Sequence, residues 1–150
     1  MSEVRVSIEI DAPPGEVFTA AMEPDRTPDW VTIVLRVEGH DDGELREGYK
    51  MRQRLCLRGV PFTVEWELTE LDAPRFARWE GKGPARSKAI TENRLEPHGD
   101  GTCFTYTNEF KTPFGPLGRV AAGAIMGGLP EREATASLQA LKQLVEKGST

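Results

Sequence analysis

Five polar side chains stand among apolar residues on the strands that the sequence predicts: Gln53, Thr91, Asn93, Tyr106 and Asn108. Tyr106 could donate a hydrogen bond or a proton, and Asn108 and Gln53 could polarise a carbonyl group. These three are the candidate catalytic residues, with Tyr106 favoured as a positioned hydrogen-bond donor over a catalyst. Burying such a group without a partner costs about 1–3 kcal/mol. Several inward polar groups therefore favour a wet cavity or a bound ligand, unless they satisfy one another.

The alternation of apolar and polar residues predicts both the strands and the face that each side chain occupies. In the strand that begins at Arg75 the alternation is ambiguous, and we place Trp79 rather than Phe76 inward. The other residues predicted to face inward are Met51, Gln53, Leu55, Phe62, Val64, Trp66, Leu68, Ala89, Thr91, Asn93, Leu95, Phe104, Tyr106, Asn108 and Phe110.

Small residues in the C-terminal region would leave volume opposite the sheet, and two of them, Ala124 and Gly128, are assigned to the site. A mainly apolar lining with a few polar groups is typical of a small-molecule pocket. The alternative is a solid core filled by the same aromatic residues. The predicted ligand-binding residues are Met51, Gln53, Leu55, Val64, Trp66, Trp79, Thr91, Asn93, Phe104, Tyr106, Asn108, Ala124 and Gly128.

The remaining reactive side chains do not indicate a second site. Cys56 and Cys103 lack CxxC spacing, and we expect both to be free thiols. His40 and His98 fall in predicted turns, and we expect both to be solvated. Two distant histidines are too few for a metal centre, so no metal and no cofactor are expected.

Composition limits the class of protein. The chain has 150 residues and a formal net charge of −5, which disfavours nucleic-acid binding. No apolar run approaches the ~20 residues that a membrane helix needs, and the first residues lack the pattern of a signal peptide. We therefore expect one cytoplasmic domain over residues 1–150, a monomer or homodimer with no nucleic-acid partner and no membrane span.

The order of elements predicts an α+β fold. One strand is followed by short helices, about six antiparallel strands from Val31 onward, and a C-terminal helical region. Residues 117–125 follow a helical period, residues 127–130 interrupt it, and apolar residues then recur on one helix face from Ala134 to Val145.

Several stretches of the sequence match a known pattern. They are residues 8–13 running into Glu16-Val17-Phe18, then Pro28-Asp29-Trp30, Gly48 before a long strand, and Gly101-Thr102 opening the last strand. With the C-terminal helix, they resemble the START/Bet v 1-like (SRPBCC) superfamily and, within it, the bacterial polyketide cyclase/dehydrase-like branch. The resemblance covers nearly the whole chain. It implies a helix-grip fold, a curved antiparallel sheet of about seven strands wrapped around a long C-terminal helix, with short helices after the first strand.

Fold analogy alone does not choose a function within this family. Our first prediction is a protein that binds a small, largely apolar molecule, a polyketide-like aromatic or a lipid, in a cavity between sheet and C-terminal helix. The alternative is a polyketide cyclase/dehydratase-type enzyme acting on a poly-carbonyl substrate, in which Tyr106, Asn108 and Gln53 would stabilise an enolate and move protons. A partner-binding module would need a large exposed apolar patch, which the charged outer faces of the strands disfavour.

Overall fold

Seven antiparallel strands form one open sheet in the computed structural model, which describes residues 2–57, 59–111 and 129–148. Their order across the sheet is β1-β7-β6-β5-β4-β3-β2, so the first strand pairs with the last and the other neighbours follow the chain. The strands are β1 (Ser2–Ile10), β2 (Val34–His40), β3 (Lys50–Leu57), β4 (Val60–Asp72), β5 (Phe76–Lys82), β6 (Lys88–His98) and β7 (Gly101–Lys111).

The registers of the hairpins bring the apolar sets of neighbouring strands to one face. Met51 lies opposite Trp66, and Asn93 lies opposite Tyr106. Because successive side chains of a strand point to opposite faces, one such pair fixes the facing of both strands. The β6–β7 hairpin turns tightly at Gly99, whose φ of 60° is a conformation that glycine adopts at little cost.

Two short helices connect β1 to β2. Helix α1 spans Pro14–Met22, a 3-10 turn spans Pro24–Arg26, and α2 spans Thr27–Trp30. Proline suits the first turn of a helix because no hydrogen bond to its nitrogen is needed there. The hydroxyl of Thr102 in β7 donates to the Ala12 carbonyl oxygen at 2.7 Å, which ties the start of α1 to the sheet.

The last helix of the described residues, α3, spans Leu129–Gly148. Its buried face carries Ala134, Leu138, Leu141 and Val145, at the spacing that the sequence predicts. This face belongs to the same apolar core as the inner face of the sheet, and α3 packs against β1, α1 and α2. The architecture is the expected α+β helix-grip fold. Within the described ranges, no helix has the length and hydropathy needed to cross a membrane.

Local differences from the sequence prediction lie around β2 and before α3. β2 begins at Val34 and not at Val31, because a turn closed by the Val34 N–H and the Val31 carbonyl oxygen (3.0 Å) precedes it. His40, predicted in a turn, is the last residue of β2. The predicted helical stretch at residues 117–125 lies outside the described residues, and Leu129 and Pro130, predicted to interrupt the helical region, are the first residues of α3.

Candidate functional site

A pocket of about 90 Å³ opens on the inner face of the sheet. That volume is several times the ~10–15 Å³ that a single water molecule requires. Strands β3 to β7 form one wall. The described part of the opposite wall comes from α1, α2, the turn after α2 and the first residue of β2. The lining residues are Ala21, Met22, Thr27, Trp30, Val31, Ile33, Val34, Met51, Gln53, Leu55, Trp66, Trp79, Thr91, Asn93, Tyr106 and Asn108.

Most residues assigned to the site from the sequence lie together on this wall. Val64 and Phe104 are fully buried in the core and are not among the lining residues. Ala124 and Gly128 lie outside the described residues, so their assignment stays a prediction. The predicted residues that line the pocket are Met51, Gln53, Leu55, Trp66, Trp79, Thr91, Asn93, Tyr106 and Asn108.

The packing of Val64 and Phe104 explains their exclusion from the lining. A methyl group of Val64 fills the space beside Gly81, where a β-carbon would lie only 2.7 Å from it. The ring of Phe104 meets the edge of the Trp30 ring, with centroids 6.3 Å apart. Trp30 itself lines the pocket.

The sequence prediction missed the described part of the wall opposite the sheet. It includes Ala21 and Met22 at the end of α1 and Trp30 at the end of α2. Strand alternation carries no information about such residues, because they lie in short helices and a turn. The sequence does contain one indication of this wall. A tryptophan directly follows Pro28-Asp29, in a stretch too short to bury it locally.

Contacts with α3 hold this wall in place. The backbone N–H of Thr32 donates to the Ser137 hydroxyl at 3.0 Å, and the Thr32 hydroxyl hydrogen-bonds to Glu133. The Trp30 ring also lies edge-on to Tyr106, with centroids 5.7 Å apart. The C-terminal helix therefore positions the pocket through the α2 segment, across more than a hundred residues of sequence.

One polar pair in the pocket joins β3 to β4. The indole N–H of Trp66 donates to the Gln53 side-chain oxygen at 2.9 Å. The Gln53 amide nitrogen lies 3.6 Å from the sulfur of Met51, a weak acceptor. Gln53 is only 4% exposed, so the Trp66 bond meets the hydrogen-bonding need of its oxygen.

A second polar group joins β6 to β7. The Thr91 hydroxyl donates to the Asn108 side-chain oxygen at 2.7 Å. Burial raises the pKa of Tyr106 above the ordinary value near 10, and a hydrogen bond with Asn108 partly offsets this. The Tyr106 hydroxyl is therefore protonated at neutral pH and suited to donate a hydrogen bond, not to remove a proton.

Two buried polar atoms of the lining residues have no hydrogen-bond partner among the described residues. The Asn93 amide nitrogen donates to the Ala77 carbonyl oxygen at 3.3 Å, but its side-chain oxygen is buried and unpaired. The indole N–H of Trp30 is also buried and unpaired. Both atoms lie buried among the packed side chains of the site.

Charged groups are missing from the described part of the lining. Every residue named there is neutral at pH 7, because Tyr106 keeps its proton. Across the described ranges, no three histidine, cysteine or carboxylate side chains cluster in a way that would hold a metal ion. The described lining can therefore offer hydrogen bonds and apolar contacts to a ligand.

His40 lies outside this pocket, in a network that the sequence prediction of a solvated turn residue did not anticipate. Its side chain is 29% exposed, and Nε2 lies 3.3 Å from an Asp25 carboxylate oxygen. Nδ1 lies 2.8 Å from the Asp41 carbonyl oxygen and 2.9 Å from the Tyr49 hydroxyl. The hydrogen bond with the Asp41 backbone raises the pKa of His40, and the Asp25 carboxylate adds to this against the opposing effect of partial burial.

This network predicts a pH-dependent contribution to stability. A raised pKa in the folded state means that the contribution is full below the unfolded value near 6.5 and is lost as pH rises through the folded value. Urea unfolding from pH 5.5 to 8.5 should show that the stability difference between the wild type and His40→Gln shrinks with rising pH. The change should stay below about 1 kcal/mol because Asp25 is largely exposed.

The control for this prediction is His98→Gln. His98 pairs with Glu9 at 2.8 Å, but both side chains are well exposed. Because this pair lies on the exposed surface, its loss should change the free energy of unfolding by less than about 1 kcal/mol. A His40→Gln difference that grows with rising pH would contradict the assigned network.

Comparison with known proteins gives relatives of low sequence identity and high coverage. The family model for polyketide cyclase / dehydrase and lipid transport matches residues 1–146. Toxin Rv0910 of Mycobacterium tuberculosis is 22% identical over 133 residues, which cover 87% of this chain and 92% of that protein.

Solved structures support the same relationship at the level of the fold. The Zhui aromatase/cyclase of a Streptomyces species has a TM-score of 0.82 at 18% identity, covering 99% of this chain and 96% of that one. TTHA0849 of Thermus thermophilus has a TM-score of 0.78 at 19% identity, covering 99% and 100%. Since the family model covers almost the entire sequence, the chain belongs to the polyketide cyclase/dehydrase and lipid transport family.

Proposed function

We propose that this protein binds a small, largely apolar molecule, a polyketide-like aromatic or a lipid, in the pocket on the inner face of the sheet. The observation that carries the proposal is the character of the lining. Aliphatic and aromatic side chains dominate it, and a few amides and hydroxyls stand at intervals among them. Ligand sites have this composition because apolar walls supply affinity and sparse polar groups fix orientation.

The three tryptophans provide the means of testing the proposal, since all of them line the pocket. Titration with N-phenyl-1-naphthylamine, a neutral apolar fluorophore, should quench tryptophan emission and enhance the emission of the probe. Native mass spectrometry of the purified protein should give a 1:1 complex. A probe that leaves both signals unchanged would contradict binding in this pocket.

Trp66→Ala should weaken binding of this probe by roughly three- to tenfold while the protein stays folded. The variant removes an aromatic contact, worth about 0.5–1.5 kcal/mol, and leaves the buried oxygen of Gln53 without its indole partner. Fluorescence titration measures the affinity, and circular dichroism checks the fold.

The matched control is Leu35→Ala, which truncates an apolar side chain that is 52% exposed and does not line the pocket. Its affinity for the probe should equal that of the wild type. An equal loss of affinity in the two variants would place the probe outside the pocket.

Cyclisation or dehydration of a poly-carbonyl substrate is the second candidate function. The likeness to an aromatase/cyclase supports it, as does the protonated Tyr106 hydroxyl beside Asn108. Such a donor could stabilise an enolate oxygen. In this case the protein should accelerate the ring closure of a synthetic poly-β-keto thioester, and the increase in aromatic absorbance measures the rate. Tyr106→Phe should lower this rate. Turnover that persists in the Gln53, Tyr106 and Asn108 triple variant would remove the assignment of these residues.

A further inference from the structure

We propose that residues 82–88, the basic turn between β5 and β6, dock the protein on a lipid bilayer that contains anionic lipids. Lys82, Arg86 and Lys88 supply the three positive charges of this turn. The surface lies outside the pocket, so the inference goes beyond the proposed binding function. It assigns a place where the protein meets a membrane, the phase in which apolar molecules collect.

The three charges of the basic turn are exposed and unpaired. None of the three side chains forms an ion pair or a hydrogen bond with a described residue. The residues outside the described ranges include no aspartate or glutamate, and none occurs between residues 81 and 91. Glu65 lies opposite Lys82 in the β4–β5 pairing, but its carboxylate binds Arg52 at 2.6 Å. The turn therefore keeps its positive charge in a chain whose net charge is −5.

The pairing of β5 with β6 concentrates these charges. Lys82 and Lys88 lie directly opposite each other, where the β-carbons of neighbouring strands are about 4.5–5.5 Å apart. The Gly83 N–H donates to the Ser87 carbonyl oxygen at 2.9 Å, which closes the turn that carries Arg86. Like charges at directly opposed positions destabilise a sheet, and a negatively charged partner would relieve this repulsion.

The opposite end of the sheet is acidic. Residues 41–47, which connect β2 to β3 at that end, include four carboxylates and one arginine. Because the strands are antiparallel, the β4–β5 turn lies at the same end, whereas the β3–β4 turn lies beside the basic turn. A negatively charged surface attracts the basic turn and repels the acidic end. The charge distribution therefore orients the molecule on such a surface.

Two neighbouring features favour a bilayer as the partner over a dissolved anion. Val60 begins β4 at the β3–β4 turn, and its side chain is 45% exposed. An exposed apolar side chain next to basic groups suits the boundary between lipid headgroups and acyl chains. Gly81, which precedes Lys82, lies directly opposite the pocket residue Trp66. The docking surface therefore adjoins the wall of the pocket.

Co-sedimentation with vesicles tests the inference on the full chain. The wild type should bind vesicles of phosphatidylcholine mixed with phosphatidylglycerol, and it should not bind vesicles of phosphatidylcholine alone. High salt should release it, because salt screens exposed charges. Binding to neither kind of vesicle, or equal binding to both, would overturn the inference. Release by inorganic phosphate at constant ionic strength would indicate a site for a free phosphate group and would also overturn it.

Single charge removals assign the binding to the basic turn. Lys88→Gln should weaken binding to the anionic vesicles by about fivefold, the factor expected for one basic residue near such a surface. The matched control is Arg75→Gln, which removes the same charge from an exposed position in the β4–β5 turn at the acidic end. This control should bind like the wild type. Equal losses in the two variants would show that only net charge matters, which would overturn the assignment.

Titration with N-phenyl-1-naphthylamine separates this inference from the proposed function. Lys82, Arg86 and Lys88 do not line the pocket, so the variant with glutamine at all three positions should bind the probe like the wild type. The same variant should lose its binding to anionic vesicles. Vesicle binding that persists in it would overturn the inference and leave the pocket proposal intact. A wild type that binds vesicles but not the probe would contradict the proposed function alone.

Discussion

Gly81→Ala should lower the free energy of unfolding by about 1–3 kcal/mol and reduce the affinity of the pocket for apolar ligands. A β-carbon at this position would lie 2.7 Å from the Trp66 ring and 2.7 Å from a methyl group of Val64. Trp66 is directly opposite Gly81 in the β4–β5 pairing, so its ring has to move. The movement should break the hydrogen bond from Trp66 to Gln53.

Urea unfolding and tryptophan emission measure the two consequences. The matched control is Gly39→Ala, also a glycine within a strand, where an added β-carbon would meet no atom within 4 Å. This control should keep the stability and probe affinity of the wild type. If the two alanine variants proved equally stable and bound N-phenyl-1-naphthylamine equally well, the close packing of Trp66 on Gly81 would be wrong.

Ala21→Leu should abolish most ligand binding, by at least about tenfold, without loss of stability. Ala21 lines the pocket near the end of α1, so the added carbons enter open space. Filling a cavity with apolar groups commonly adds about 0.5–2 kcal/mol of stability, whereas it removes the volume that a ligand needs. Stability and affinity should therefore change in opposite directions, which is rare for a core substitution.

The neighbouring substitution Ala20→Leu supplies the contrast. Ala20 is buried on the same helix but does not line the pocket, so the larger side chain should overpack the core and cost about 1–3 kcal/mol. Thermal unfolding distinguishes the two variants. An Ala21→Leu protein destabilised as strongly as Ala20→Leu would indicate a solid interior and would contradict a ligand cavity.

Taken together, these variants separate the packing of the pocket from its chemistry. Gly81 and Ala21 test whether the space exists and what shapes it. Trp66 and Tyr106 test the side chains that a ligand would contact. A cyclase would require both, because a poly-carbonyl chain must first be held before Tyr106 can act on it.

Patterns along the chain were sufficient to predict the fold and the sheet wall of the candidate site. Strand alternation is a local property with a period of two, so it predicts which side chains of β3, β6 and β7 share a face before any partner strand is known. It correctly brought Gln53, Thr91, Asn93, Tyr106 and Asn108 to one surface. In the same way, apolar residues that recur at the helical period predicted the buried face of α3.

The described part of the opposite wall and the hydrogen-bond pairs depend on contacts between residues that are far apart in the sequence. Trp30 reaches the pocket because Thr32 is bound to Ser137, 105 residues away, and no local pattern encodes that contact. His40, which was expected to be solvated, is partly buried because Asp25 and Tyr49 from other parts of the fold contact it. The tertiary contacts also decide which side-chain amides are hydrogen-bonded. The oxygen of Asn108 accepts a hydrogen bond from Thr91, whereas the oxygen of Asn93 has no partner among the described residues. These distinctions depend on differences of a few tenths of an ångström in the distances between residues that are far apart in the sequence. The alternation of apolar and polar residues along the chain carries no information about such distances.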